Sequence, residues 1–220
     1  VGDIHIGFGA GIEGIDIVGE RQKEMLSELG RVFKKTGKID KVILLGDLKH
    51  SFSALTQEER YGLVNLLDYL ETKTREIVVI RGNHDNYLLN LIGKKGIKVL
   101  NYYIWKKYAF LHGDRDFPSI HDEKIRHWMM GHLHPAINIS EGVKVERYRC
   151  FLEGGYKKKR VIILPSFVEI GEGVDVLTGE SNLAWDFNLG KFKVLVAGEK
   201  GEVLDFGILR RLKLLKKYRL

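Results

Sequence analysis

The sequence predicts an α/β fold in which a parallel half and a more antiparallel half pack together as two sheets. Up to residue 80, apolar segments of strand length alternate with amphipathic helical segments, which is typical of a parallel sheet covered by helices. After residue 97 the apolar segments become short and closely spaced, as antiparallel strands are. The 220 residues contain no repeat and no linker, so we expect one domain over residues 1–220.

The first half is expected to follow the order strand–helix–strand–helix–strand. The strands are expected at residues 1–5, 42–45 and 77–80. The first helix covers about 20–35, with one apolar face formed by Met25, Leu29, Val32 and Phe33. Thr56 and Glu59 form a capping box at the start of the second helix. That helix runs to about residue 73 and presents Leu63, Leu66, Leu67 and Leu70 on one face.

The second half is expected to contain eight short strands and one helical segment. The strands are predicted at 99–100, 103–105, 108–111, 128–130, 143–152, 161–164, 192–197 and 202–206. The helical segment is predicted at about 119–127. Residues 166–190 are irregular and contain glycine, so we expect a long loop that could border a site.

Composition excludes a membrane-spanning protein and places most of the excess charge at one end. The chain is 44% hydrophobic and 30% charged, which suits a folded core, and no apolar run approaches the roughly 20 residues of a membrane span. Of the net charge of +7, residues 208–220 contribute +6 without an acid. The single cysteine, Cys150, favours a reducing, cytoplasmic location and a role as a small buried hydrophobe. Since the chain opens at Val1, we expect residues upstream of it.

Side chains with metal-ligand character follow five predicted strands at the point where each strand ends. They are Asp3 and His5, Asp47 with His50, Asn83-His84-Asp85, His112, and His132 with His134. Open α/β sheets bind ligands at this edge, and Asp-x-His or His-x-His spacing places both side chains on one face of an extended segment. Each motif alone could be a turn, a cap or a buried histidine. Five of them at strand ends favour a common site.

The residue types indicate a site for two metals. Carboxylate, amide oxygen and imidazole suit divalent ions such as Mn²⁺, Fe²⁺ or Zn²⁺. Seven candidate ligands are too many for one ordinary site and suit two sites that share a carboxylate. Two metals roughly 3.5–4 Å apart can stabilise the attacking and leaving oxygens of a phosphoryl displacement. Two carboxylates against two such ions leave about +2, which attracts phosphate.

Taken in order, these motifs resemble the motif set of the calcineurin-like metallophosphoesterases. The resemblance spans residues 3–134 and rests on Asp3-Ile4-His5, Gly46-Asp47-Leu48-Lys49-His50, Gly82-Asn83-His84-Asp85, His112 and Gly131-His132-Leu133-His134. Neighbouring residues are most similar to the archaeal and bacterial branch called DNA ligase-associated or ICC-like phosphoesterases, which suggests a role in DNA repair. They are Ser51-Phe52, Arg81, Gly113-Asp114, Pro135 and Gly173-Val174-Asp175.

The resemblance implies a four-layer αββα sandwich, with two mixed sheets face to face and helices outside. It also implies a role for each site residue. Asp3, His5 and His134 would bind one metal, Asn83, His112 and His132 the other, and Asp47 would bridge them. His84 would touch the phosphate and protonate the leaving oxygen, and Asp85 would orient His84. We expect His50 to contact a ligand residue or the substrate.

The implied activity is a binuclear metal-dependent phosphoesterase that cleaves phosphodiester bonds, in nucleic acid or a nucleotide, with a metal-bridging hydroxide. The two divalent ions are expected to be Mn²⁺, with Fe, Zn, Ni or Co as alternatives. Protein serine/threonine phosphatases of this family have Asp-Arg-Gly after the bridging aspartate. Here His50-Ser51-Phe52 follows, which argues against a phosphoprotein substrate. A phosphomonoesterase is one alternative. The other is a non-catalytic scaffold like a retromer subunit, against which the presence of His84 argues.

Two basic segments could contact nucleic acid through its phosphates. They are Lys157-Lys158-Lys159-Arg160 and the tail over residues 208–220. The alternative is a solvated edge strand and a terminal helix that docks through Ile208, Leu212 and Leu215, which share a helical face.

Overall fold

The computed structural model describes residues 1–10, 17–141, 144–168, 173–198 and 201–217. Its α-helices are α1 (Ile17–Thr36), α2 (Gln57–Glu71), α3 (Leu89–Gly93) and α4 (Leu209–Lys217). Within the described ranges, no helix is long and apolar enough to span a bilayer.

The smaller sheet has three parallel strands in the order β1–β2–β3. They are β1 (Ile39–Leu44), β2 (Thr74–Ile80) and β3 (Lys98–Leu100). Residues 1–6 run beside the carboxyl end of β1, where the Asp3 N–H donates to the Gly46 carbonyl at 3.0 Å. Ile6 forms a parallel bridge with Lys49. The strand expected at residues 1–5 is thus present only as an extended segment that bonds to the loop after β1 and ends in a single bridge.

The larger sheet has nine strands and mixes parallel with antiparallel pairs. Its strands are β4 (Tyr102–Trp105), β5 (Tyr108–Leu111), β6 (His127–Met130), β7 (Pro135–Glu141), β8 (Lys144–Tyr156), β9 (Lys159–Ile163), β10 (Val174–Asp175), β11 (Lys193–Ala197) and β12 (Val203–Ile208). Seven follow the order β10–β7–β8–β9–β6–β5–β4, and β11 joins β12 to β8. The central pairs β5–β6 and β6–β9 are parallel.

Alternating side chains of β2 show how the two sheets are layered. Ile77 and Val79 face the core beneath α1 and α2. Val78 and Ile80 face a separate apolar layer that includes Tyr103 of β4 and Phe110 of β5, as expected for the period of two in a strand. The small sheet therefore lies between helices and the large sheet. This confirms the α/β sandwich predicted from the sequence.

The far face of the large sheet is covered by irregular chain together with α4. Its core includes Trp128, Trp185, Phe187 and Leu209. Cys150 is fully buried in the same core, as predicted for a small hydrophobe. Leu212 of α4 packs against this core, whereas Ile208 ends β12. The Leu215 side chain and residues 218–220 lie outside the described residues.

The helix predictions hold for α2 and need two corrections elsewhere. Both hydrogen bonds of the Thr56–Glu59 capping box are present. Val32 was wrongly placed on the buried face of α1, because its side chain is 42% exposed. The predicted helix at 119–127 is a single 3₁₀ turn, Pro118–His121, followed by irregular chain. This segment is too short for helical propagation to offset nucleation.

The sequence analysis did not predict α3, β7 or β10. Pro135 is the first residue of β7, a position where a strand tolerates proline. Ile137, Asn138 and Ile139 alternate apolar with polar residues, which is typical of a strand.

Candidate metal centre

The five motifs meet at one edge that both sheets share. Asp47 follows β1, the segment Asn83–Asp85 follows β2, His112 follows β5, and His132 follows β6. Ligand atoms of Asp3, His5, Asp47 and His134 lie within 4.8 Å of one another, as do those of Asp47, His112 and His132. All seven residues proposed as ligands are near this edge, since Asn83 contacts His112.

Asp47 lies between the two groups. Its Oδ2 atom is 3.6 Å from His5 Nε2 and 3.3 Å from His112 Nε2. Its Oδ1 atom accepts a hydrogen bond of 2.9 Å from the His84 backbone N–H, which fixes the carboxylate. One oxygen therefore faces both groups, as a bridging carboxylate would.

The donor set of these residues fits cations. The His112 Nδ1–H donates to the Leu45 carbonyl at 2.8 Å, which turns Nε2 inward. This Nε2 is 3.0 Å from Asn83 Oδ1 and 3.2 Å from His132 Nδ1. In the other group, His134 Nε2 is 3.1 Å from Asp3 Oδ1 and 3.4 Å from His5 Nε2. Several electron-pair donors thus converge on each of two points.

The pKa shifts follow from this crowding of buried acceptors. Burial lowers the pKa of His5 to about 3, which leaves its ring neutral. Burial alone would also lower the pKa of His112, but the hydrogen bond and charge of Asp47 raise it to about 9. The pKa of Asp47, which burial would raise, is held below its usual range by the hydrogen bond and charge of His112. The proton held between His112 and Asp47 thus offsets the negative charge of the carboxylate, as a bound cation would.

The backbone is strained at five of the proposed ligands. Nine residues other than glycine have positive φ among those described, and five of them are Asp3, His5, Asp47, His132 and His134. Such conformations cost of order 1–3 kcal/mol each and tend to occur at functional sites. This observation is independent of side-chain chemistry and singles out the same residues.

Three glycines let the motifs approach one another. A Cβ atom on Gly82 would lie 2.2 Å from Asp47 Oδ1, and one on Gly131 would lie 2.3 Å from Asp3 Oδ2. A Cβ atom on Gly46 would lie 2.7 Å from His112 Nδ1. Each glycine therefore leaves room for a ligand residue from a different motif, a role that the sequence alone did not reveal.

His84 is held beside this centre without joining either of the two groups. Its Nδ1–H donates to the His50 carbonyl, and its Nε2 is 4.0 Å from Asp47 Oδ2. The His50 ring lies 5.8 Å from the His84 ring, centroid to centroid. Atoms of His5, His50 and His84 also lie within 4.8 Å of one another. The backbone of His50 thus contacts His84, and its ring meets the ring of His5, a proposed ligand, edge-on at 5.6 Å between centroids.

Asp85 does not orient the His84 ring as predicted. Its carboxylate is buried and accepts hydrogen bonds from the backbone N–H groups of Leu48 and Gly82, both at 2.9 Å. Burial, together with the charge of Asp47, raises the pKa of Asp85 to about 6. Asp85 instead joins the loop after β1 to the loop after β2. Its motif position suggested a side-chain partner, and the fold supplied backbone partners.

Sequence reasoning did not identify four further residues around the centre. The buried Ser166 hydroxyl donates to the Asp3 carbonyl at 2.7 Å. Lys49 and Glu59 are buried and bind the loop that follows Asp47, and Phe52 of that loop lies against His84. Lys49 and Phe52 lie within the motifs that carry the family resemblance, and Glu59 within the capping box, but neither signal indicated a contact with the centre.

The basic segment near residue 157 presents fewer free charges than expected. Lys159 is buried and its Nζ donates to the carbonyls of Asp122 and Ile125, both at 2.9 Å. Arg160 pairs with Glu153 at 2.8 Å. Lys159 was wrongly counted as part of a nucleic-acid surface, because its charge is buried within the fold. Arg160 stays 53% exposed beside Glu153.

The fold and this edge define a metallophosphoesterase. The family model described as calcineurin-like phosphoesterase matches residues 1–198, so the chain belongs to that family. The suspected family is therefore confirmed. No curated protein sequence matches the chain.

One solved structure shares the fold at low sequence identity, and two others align with most of the chain at lower TM-scores. The nuclease MPE of Pseudomonas putida is 20% identical, with a TM-score of 0.62, over 94% of this chain and 86% of that chain. A predicted phosphoesterase from Streptococcus pneumoniae is 16% identical, with a TM-score of 0.36, over 94% of each chain. A Vps29 variant from Entamoeba histolytica is 16% identical, with a TM-score of 0.40, over 94% of this chain and 97% of that one.

Proposed function

We propose that this chain is a binuclear metal-dependent phosphodiesterase. The position of Asp47 carries the proposal, because its Oδ2 lies within 3.6 Å of an imidazole nitrogen from each ligand group. Asp3, His5, Asp47 and His134 would hold one divalent ion, and Asp47, Asn83, His112 and His132 the other. When bound, such ions supply an acidic water and positive charge for a phosphoryl group. Mn²⁺ is the ion we propose first.

The residues of the chain itself would orient the reaction. The Leu45 carbonyl keeps the His112 Nε2 lone pair pointing inward, an outer contact that commonly fixes the ring of a ligand histidine. The His50 carbonyl takes the Nδ1–H of His84, so the other nitrogen, Nε2, is the one that can carry a proton to the leaving oxygen. Asp85 keeps the loops that carry Asp47 and His84 together.

The preference for diesters and the substrate class are also proposals. No arginine follows Asp47 in the position that grips phosphate in the protein phosphatases of the family; Phe52 lies against His84 instead. We propose nucleic acid or a nucleotide as substrate, in keeping with the name of the Pseudomonas putida nuclease, whose 20% identity supports the fold alone. Lys157, Lys158 and the tail from residue 208 remain the proposed phosphate contacts. A cytoplasmic location is proposed from the single cysteine, Cys150, and a role in DNA repair from the resemblance to the DNA ligase-associated branch.

Hydrolysis assays test the proposal. Bis(4-nitrophenyl) phosphate, 4-nitrophenyl phosphate and a single-stranded oligonucleotide are compared with Mn²⁺ and with chelator. We expect diester turnover that requires metal. On the oligonucleotide, whose leaving group is a nucleoside alkoxide, His84→Asn should lower kcat by about 10²–10⁴-fold, which is typical of a lost general acid, and metal content measured by elemental analysis should stay unchanged.

His127→Asn is the matched control, because His127 begins β6 at the end opposite the centre and should keep full activity. Absence of turnover with every metal would exclude the proposed activity. Faster turnover of the monoester would make the protein a phosphomonoesterase.

A further inference from the structure

We propose that Phe52 is a positioning residue that holds the His84 ring in place for proton donation to the leaving group. This inference rests on the proposed function of His84. The two ring centroids are 3.7 Å apart with an interplanar angle of 31°. The side chain of His84 is only 14% exposed, whereas Phe52 is 61% exposed. One face of the Phe52 ring thus covers the imidazole, and the opposite face of the Phe52 ring is exposed to solvent.

The loop that carries Phe52 is anchored on both sides by buried charges. Lys49 is 0% exposed, and its Nζ donates to the carbonyl of Ser53 at 3.0 Å and also to that of Ser51. Glu59 is 1% exposed, and its carboxylate accepts from the Ser51 N–H and hydroxyl, each at 2.8 Å. Lysine and glutamate are rarely buried without partners. Here Lys49 binds the residues before and after Phe52, and Glu59 binds the residue before it.

The other contacts of His84 place the residue but do not by themselves prevent rotation of its ring about χ2. The backbone N–H of His84 and its Nδ1–H are both bonded, to Asp47 and to the His50 carbonyl. The His5 ring meets it edge-on at 4.8 Å. These contacts, with the near-parallel His50 ring at 5.8 Å, set the position and the protonated nitrogen. Phe52 lies closer, at 3.7 Å, and shields the ring face that it covers. An aromatic neighbour on that face limits rotation about χ2 and excludes water that would compete for Nε2.

The chemical consequence depends on the leaving group. In hydrolysis the attacking water loses a proton to solvent and its oxygen forms a bond to phosphorus. The bond from phosphorus to the leaving oxygen breaks, and the proton on His84 Nε2 passes to that oxygen. His84 then takes up a proton from solvent. A nitrophenolate leaves readily without this proton. A nucleoside alkoxide is a strong base and needs it. A residue that acts through His84 should therefore matter for the second leaving group and hardly for the first.

Two substrates with the same nucleotidyl group separate these cases. Thymidine 5′-(4-nitrophenyl phosphate) loses nitrophenolate, and the dinucleotide thymidylyl-thymidine loses a nucleoside. For Phe52→Ala we expect kcat to fall about tenfold or more on the dinucleotide, which is part of the usual contribution of a general acid. On the nitrophenyl ester, kcat should fall less than about threefold. KM should change less than about twofold on either. Phe52→Tyr should restore kcat.

Trp105→Ala is the matched control. Trp105 is another exposed aromatic residue, 46% exposed, at the end of β4 that pairs with Tyr108, away from the centre. For Trp105→Ala we expect no change in kcat on either substrate. Metal content measured for every variant separates an effect on His84 from damage to the ligand set.

A double-mutant cycle tests whether Phe52 acts through His84. Products from the dinucleotide are quantified for His84→Asn, Phe52→Ala and the double variant. If the inference holds, the double variant equals His84→Asn. Additive losses overturn it, as do equal losses on both substrates or a loss confined to KM, which would make Phe52 a substrate contact. Full activity in His84→Asn would instead refute the proposed role of His84, whereas loss there with none in Phe52→Ala refutes only the inference about Phe52.

Discussion

At the scale of single residues, the centre depends as much on missing side chains as on ligands. Gly46, Gly82 and Gly131 each lie against a ligand residue of another motif. Gly46 also has a positive φ of 91°, which favours glycine independently of space. The motif glycines therefore set the distances between strand ends, and those distances decide whether seven side chains can meet.

Gly82→Ala tests this role. The added Cβ would lie 2.2 Å from Asp47 Oδ1, so the bridging carboxylate or the β2 loop must move. We expect overpacking to cost about 2 kcal/mol or more and metal content at equal free Mn²⁺ to fall, measured by thermal unfolding and elemental analysis.

Gly93→Ala is its control, because nothing lies within 4 Å of a Cβ atom there and Gly93 lies in α3. This variant should be neutral or more stable by up to about 1 kcal/mol. If both variants behave alike, close packing at Gly82 has no special importance.

At the scale of elements, the first turn of α2 serves the centre as well as the helix. Glu59 closes the capping box with Thr56 and also binds Ser51 of the preceding loop. A residue chosen for helix capping would be exposed and replaceable. Burial at 1% exposure instead makes Glu59 a fixed support for the loop between Asp47 and α2.

Glu59→Ala should therefore destabilise far more than a lost cap. It leaves the N–H groups of Ser51 and Thr56 without their acceptor, and a buried unsatisfied donor costs about 1–3 kcal/mol. We expect a loss of about 2–4 kcal/mol, or roughly 5–15 °C in Tm for a chain of this size.

Glu58→Ala is the matched variant in the same helical turn, where the side chain is exposed. Calorimetry or circular dichroism should show less than about 0.5 kcal/mol of change there. Equal losses in both variants would mean that Glu59 contributes only as a helix cap.

At the scale of the whole molecule, the large sheet buries the only thiol in the chain. Cys150 lies on β8 with 0% exposure, and burial, with the charge of Asp175, raises its pKa to about 12. The thiolate is the reactive form. A raised pKa in the folded state also means that stability is lost as pH rises above the unfolded value of about 8.5.

Labelling of Cys150 therefore reports on global opening. At pH 8.5 and under native conditions, we expect a thiol reagent to react at least about 100-fold more slowly than in denaturant, because few folded thiols ionise. The measurement follows absorbance or mass with and without urea. Rapid native labelling would show that the sheet opens locally at β8.

The family, the alternation of strands and helices in the first half and the order of the motifs could all be predicted from the sequence. These are local properties, because an apolar strand, a capping box or an Asp-x-His spacing can be recognised within a few residues. Predictions failed where the local signal was weak, as in the short segment 119–127. Val32 failed for another reason, since the width of a buried helix face depends on what packs against it.

Which atoms meet depends on how the two sheets pack. Asp47 faces both groups of proposed ligands because the ends of β1 and β2 from one sheet meet those of β5 and β6 from the other. Because of the same packing, Asp85 binds backbone N–H groups and not the His84 ring. The packing also buries the Lys159 side chain and places Phe52 against the His84 ring. Such contacts join residues far apart along the chain, and their distances follow from how two sheets pack, which no short segment of sequence encodes.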